Sequence, residues 1–208
     1  MNEQAARQEF LGFMYELESE PAHVLHVAKL ALALFDQLQE LHGLSMDDRI
    51  ILEAAGCLHD IGWAVSPGGR EHHKASAQLI RERPWKSFDP ESVAVLALVA
   101  RYHRQTLPGT EHKDFRRLPA AERGRVERLA AILRIADGLD RRHLGYVVNL
   151  KSAIEPNKVA IHLSTTEFAD REIEAAKKKS DLAALIFGRE FLFTAELTGA
   201  QISELTGS

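Results

Sequence analysis

The adjacent pair His59-Asp60 closes the stretch Ala54-Ala55-Gly56-Cys57-Leu58-His59-Asp60-Ile61-Gly62, so an imidazole and a carboxylate meet at the end of an apolar helical run. These two ligand types suit Mn, Fe, Zn and similar cations and do not choose among them. The carbonyl end of a helix carries partial negative charge, which favours a cation there. Gly62 fits a helix C-cap. Neighbouring helical residues point roughly 100° apart, so His59 and Asp60 can share an ion only if other helices supply further ligands. Candidates recur at helix ends: His26, His72 or His73, His103 and Asp137. Singly, each has a plainer reading as a dipole-stabilised histidine or a solvated aspartate.

Several helices must place these residues. Apolar spacing predicts helices over residues 3–18 and, after Pro21, over 22–42, where Val24, Val27, Leu30, Ala31, Leu34, Phe35, Leu38 and Leu41 form a stripe with His23 and His26 beside it. Gly43 ends that run, and Ser45-Met-Asp-Asp48 resembles a capping box opening a helix over about 47–60. That helix is apolar nearly all round and belongs at the centre of a bundle. A loop at Pro67-Gly68-Gly69 precedes a helix over about 71–83 with His72 and His73 in an exposed-looking first turn. Asp89-Pro90 caps a helix ending near His103, residues 106–117 read as a loop, and Pro119 opens a helix to about 142. After Gly145 the pattern becomes a strand hairpin (146–151 and 158–163), a helix (170–187) and a last strand (190–197). The expected organisation is a mainly α chain: a helical bundle over 1–145, a small C-terminal α+β subdomain over 146–197, and a loose tail over 198–208.

A chain of 208 residues with 45% hydrophobic content can bury a sizeable core. A net charge of −4 argues against a nucleic-acid or membrane coat. Cys57 is the single cysteine, so no intramolecular disulfide forms; it reads as a small core residue. No apolar run is long enough to span a bilayer, and a cytoplasmic location is the expectation. Lys177-Lys178-Lys179 reads as a solvated helix face, while His42, His112, His143 and His162 match no motif.

His26, the pair in Leu-His-Asp-Ile-Gly, and Asp137 in Leu-Arg-Ile-Ala-Asp-Gly-Leu-Asp resemble the H…HD…D signature of the HD-domain superfamily of metal-dependent phosphohydrolases. The resemblance implies an all-α HD-domain bundle in which His26, His59, Asp60 and Asp137 bind a metal. Within that superfamily the chain is more similar to the C-terminal HD region of the Ppx/GppA exopolyphosphatases and guanosine pentaphosphate phosphatases. The residues that carry this are His72-His-Lys-Ala-Ser-Ala-Gln-Leu-Ile80, Val99-Ala-Arg-Tyr-His-Arg104, Leu133-Arg-Ile-Ala-Asp-Gly-Leu-Asp-Arg141 and Ala184-Leu-Ile-Phe-Gly-Arg189. That family's catalytic domains, with their Gly-rich phosphate loops, are not expected here, so exopolyphosphatase activity does not carry over. Some HD enzymes hold two metals, and His72, with His73 as the alternative, and His103 match the second set. Two positions depart from the patterns. Ala75 stands where the family often has another histidine, and Trp63 replaces the lysine of the HD cyclic-dinucleotide phosphodiesterases, which argues against that activity.

One or two divalent ions (Mn, Fe, Mg, Zn or similar) beside His59 and Asp60, the two candidate catalytic residues, would lower the pKa of bound water and polarise a phosphoryl oxygen. The phosphate oxygens then need cationic partners. Lys74, Arg101, Arg104 and Arg141 lie next to proposed ligands in sequence, with Arg142 and Arg70 as further candidates. The expected function is metal-dependent hydrolysis of a phosphomonoester or phosphodiester, nucleotides included. The rival is a non-catalytic regulatory module that binds a nucleotide, polyphosphate or protein partner. For the C-terminal subdomain, covering the cleft, forming a homodimer and doing neither all stay open.

Overall fold

The computed structural model describes residues 2–66 and 68–198. Pro67 of the expected loop, and the expected tail from residue 199 onward, lie outside the described residues.

Helix α1 (Glu3–Leu17) lays Ala6, Phe10, Phe13 and Met14 on the core. Helix α2 (Pro21–Gln37) follows and buries its expected stripe. The helix expected to continue to His42 breaks at Leu38, and a separate turn, α3 (Gln39–His42), ends at Gly43 with φ +57. There the His42 imidazole bonds the Phe35 carbonyl and takes the Leu44 amide, so its role is local.

Helix α4 (Met46–Leu58) is the central rod, with nine of its residues buried. It crosses α2 so closely that a side chain at Gly56 would come within 2.7 Å of Ala28 Cα. Cys57 is 1% exposed, and burial pushes its thiol up to about 12, so it stays a packing group. The capping box at the start of α4 is complete: Ser45 N–H donates to Asp48 Oδ2 at 2.8 Å, and Asp48 N–H donates to Ser45 Oγ at 3.2 Å. Arg125 Nε reaches Asp48 Oδ1 at 2.7 Å and ties this cap to a later helix.

Burial pushes the Asp48 carboxyl up, but the bonds from Ser45 and Arg125 outweigh it and hold it below its ordinary value. A carboxyl depressed in the folded state stabilises the fold above its unfolded pKa of about 3.9, and that contribution is lost as the pH falls. Asp48→Ala is therefore expected to cost about 2 kcal/mol at pH 7. In urea titrations the gap from wild type should shrink at pH 3.

Helix α5 (His72–Glu82) and helix α6 (Pro90–Arg101), the latter capped by Asp89 accepting from Ser92 N at 2.7 Å, form the next layer. The expected loop 106–117 contains a short helix, α7 (Lys113–Arg117), because Phe115 buries its ring edge-on against Tyr102. Helix α8 (Ala120–Gly138) closes the bundle.

Strands β1 (Val147–Ile154) and β2 (Lys158–Thr165) form the expected antiparallel hairpin. The helix expected over 170–187 breaks at Ser180 into α9 (Asp170–Lys179) and α10 (Asp181–Phe187). These return the chain so that β3 (Glu190–Leu197) pairs parallel with β2. The sheet's Val147, Leu150, Val159, Ile161, Leu163 and Phe191 join the same apolar core as the helices. The chain is thus mainly α with a small C-terminal α+β part. Among the described residues no helix is long and apolar enough to cross a membrane.

Candidate metal centre

Helix α4 stops at Leu58, His59 is its C-cap, and Asp60 leads into a 3-10 turn over Ile61–Ala64. This change of winding defeats the 100° divergence expected on a regular helix. His59 Nε2 and Asp60 Oδ2 face the same space, 3.6 Å apart. Gly62 lies inside that turn and is not a left-handed C-cap as expected. Its job is close approach: its amide donates to Ser76 Oγ at 2.9 Å, and a Cβ there would overlap the His72 carbonyl. The missing side chain lets α5 start against the turn, which brings His72 Nε2 to 3.1 Å from Asp60 Oδ1. His103, just past the end of α6, puts its Nε2 3.5 Å from the same oxygen.

The histidine that α2 contributes is His23, not the expected His26. His23 Nε2 lies 4.0 Å from Asp60 Oδ2 and 3.9 Å from Asp137 Oδ1. His26 lies one turn further along α2, where its environment includes the Val147 backbone of β1, and burial lowers its pKa. Asp137, on the last turn of α8, joins His59 and His103. Three overlapping trios result: His23, His59 and Asp60; His59, His103 and Asp137; Asp60, His72 and His103. Within each trio the ligand atoms lie within 4.8 Å of one another. His72 and His73, expected to be exposed, are both buried. Only His72 faces the cluster; His73 lines a small separate pocket.

Hydrogen-bond partners fix which ring atoms face this space. His59 Nδ1 donates to the Gly56 carbonyl at 2.8 Å, His72 Nδ1 to Gly69 at 2.6 Å, and His103 Nδ1 to Ala100 at 2.7 Å. A carbonyl can only accept, so in the neutral ring each Nε2 carries a lone pair aimed inward. His23 Nδ1 donates to Asp140 Oδ2 at 2.8 Å, the carboxylate–histidine arrangement that orients metal-binding imidazoles. His23 Nε2, His59 Nε2 and Asp60 Oδ1 are buried with no hydrogen-bond partner. Acceptors thus face acceptors at 3–4 Å at buried positions, an arrangement that a cation relieves. The donor set fits a divalent ion of the Mn, Fe or Zn kind.

The electrostatics agree. Burial works against the Asp60 carboxylate, and positive charge on the surrounding His59, His72 and His103 outweighs it. The carboxylate is thus held well below the usual range only where these rings, or a cation in their place, carry charge. Asp137 is depressed likewise against burial, chiefly by the Lys179 ammonium. Burial keeps His103 well below its ordinary value, hence neutral. His23 moves the other way: burial is outweighed by its bond to Asp140 and by the charges of Asp137 and Asp60. That field favours positive charge at this spot, whether a proton or an ion.

The cluster forms the floor of a cleft of about 900 Å³. Of the expected phosphate-binding cations, Arg104 and Arg141 line it, and Arg104 Nη1 lies 3.3 Å from His72 Nε2 and 3.4 Å from its Nδ1. Lys74 and Arg101 do not; they line the separate 190 Å³ pocket beside His73 and His112, and Lys74 pairs with Glu71. Arg142 is held by Glu172, at 2.9 and 2.6 Å. Lys178 and Lys179, expected on a solvated face, instead line the cleft, and Lys179 Nζ meets Asp137 Oδ2. His143, assigned no role from sequence, stacks on His23 with centroids 3.6 Å apart and pairs with Glu20. Trp63 stacks on His72 at 4.6 Å and stays half exposed at the mouth.

A family model described as Ppx/GppA phosphatase, domain III, matches residues 9–199. No curated protein matches the chain.

Proposed function

The chain belongs to the Ppx/GppA phosphatase domain III family, and from that premise we propose that it is an HD-type, metal-dependent phosphohydrolase acting on a phosphomonoester or phosphodiester, nucleotides included. The observation that carries the reading is the set of Nε2 atoms of His23, His59, His72 and His103 gathered around the Asp60 and Asp137 carboxylates, with their Nδ1 protons committed elsewhere.

His23, His59, Asp60 and Asp137 would hold one divalent ion, and Asp60, His72 and His103 a second. Bound there, such ions supply Lewis acidity and a hydroxide at neutral pH. The protein's own groups do the rest. Asp60, with Oδ2 toward His23 and Oδ1 toward His72, would serve both places. Asp140 keeps the His23 imidazole turned inward. Arg104, Arg141 and Lys178 line the cleft where phosphoryl oxygens would need positive partners. Trp63 offers an apolar wall at the mouth for the leaving portion of the substrate.

One observation favours the rival, a non-catalytic module that binds a nucleotide or polyphosphate: Lys179 satisfies Asp137 with an ammonium. Elemental analysis of the purified protein, combined with a screen of nucleotides and generic phosphate esters, separates the two. The hydrolase reading predicts one or two equivalents of transition metal and turnover that a chelator removes. Metal-free protein that nucleotides stabilise without turnover would replace it by the module.

A further inference from the structure

Lysine runs at the C-terminal end of a helix are ordinarily explained by the helix dipole, and Lys177-Lys178-Lys179 ends α9 in that way. The packing beneath them is not ordinary. A Cβ at Gly138 would lie 2.7 Å from Ala176 Cα and 2.8 Å from Ala176 N, so α9 rests backbone to backbone on the end of α8. Ala176 is fully buried in that contact. Lys179 stands three residues beyond Ala176, on the same face of α9, and Asp137 directly precedes Gly138. The glycine contact therefore delivers the Lys179 ammonium to the Asp137 carboxylate. The side chain is 21% exposed and the Asp137 side chain 12%, so the pair sits at the edge of the cleft floor.

From this geometry, and resting on the metal reading above, we infer that Lys179 is a phosphate ligand of this site that competes with the divalent ion for Asp137. Asp137 has two bidders of like charge, and two cations on one carboxylate repel each other. An ion bound to Asp137 therefore weakens the hold on Lys179, whose Nζ then has the cleft's phosphoryl oxygens as its best partners. The small C-terminal part of the chain would thus complete the site, supplying through α9 a charge at Asp137.

The two roles predict opposite signs for one substitution. Calorimetric titration of Mn²⁺ into the chelator-stripped full chain should show Lys179→Met binding about tenfold tighter than wild type. Inorganic phosphate should bind the Mn²⁺-loaded variant about tenfold more weakly. Lys179→Arg keeps charge and reach, so its Mn²⁺ affinity should stay within about twofold of wild type. If Lys179→Met binds Mn²⁺ no tighter than wild type, or if Lys179→Arg tightens binding as much as methionine does, the inference is overturned and the metal reading stands. If neither wild type nor variant takes up Mn²⁺, the metal reading itself falls, and the inference with it.

Discussion

Asp60→Asn is expected to abolish metal retention and to lower phosphoester turnover by at least about 10³-fold. The expectation follows from position. Asp60 Oδ1 faces His72 and His103 at 3.1 and 3.5 Å, and Oδ2 faces His59 and His23 at 3.6 and 4.0 Å. No other carboxylate belongs to two of the three ligand trios found among the described residues. Asparagine keeps the shape, removes the charge and turns one acceptor into an N–H₂ donor, which repels a cation at the place where the imidazoles converge. The fold should survive, because the Asp60 side chain holds no helix cap. Circular dichroism and chelator-treated Tm near wild type, with metal content and activity both lost, is the expected pattern. Retained metal with activity within tenfold of wild type would remove Asp60 from the site.

Most of the cluster was legible because its members end helices whose apolar faces are strong. His59 and Asp60 close the all-apolar α4, Asp137 lies near the end of α8, and His103 follows α6. The choice between His23 and His26 was not legible. Both flank the stripe of α2, and which one faces the centre depends on how α2 rolls against α4 at the Ala28–Gly56 contact. The capture of His23 by Asp140 completes the selection, and it is a contact across 117 residues.

The same geometry explains how the cations divide. Adjacency in sequence to a ligand is a poor guide on a helix, since residues two apart point to nearly opposite sides. Lys74 follows His72 by two on α5 and lines the other pocket, as does Arg101, the last residue of α6. Arg104 and Arg141 lie beyond helix ends, where that periodicity no longer applies, and both reach the cleft. The lysines of α9 gave no sign in sequence because a charge run at a helix end is normally solvated. The glycine contact between α8 and α9 brings Lys179 to Asp137, while Lys177 stays exposed.

Gly62→Ala tests whether the site depends on a backbone contact that carries no functional group. A Cβ at residue 62 would overlap the His72 carbonyl and stand 2.5 Å from Ser76 N. Both are backbone atoms in the first turns of α5, so neither can rotate away, and the start of α5 must shift. The Gly62 amide would also lose its 2.9 Å bond to Ser76 Oγ inside the core. Together these should cost about 3 kcal/mol, or a Tm lower by about 6–12 °C for a chain of this size. Because His72 rides on the displaced turn while His23, His59 and Asp137 do not, metal stoichiometry should fall from two toward one before all binding is lost. Gly12→Ala on α1 is the matched control. It meets no atom within 4 Å and should leave the protein as stable as wild type or up to about 1 kcal/mol more so. A Gly62→Ala protein that melts with wild type and holds the same metal would show that α5 is free to move, and that His72 is not set in place by this contact.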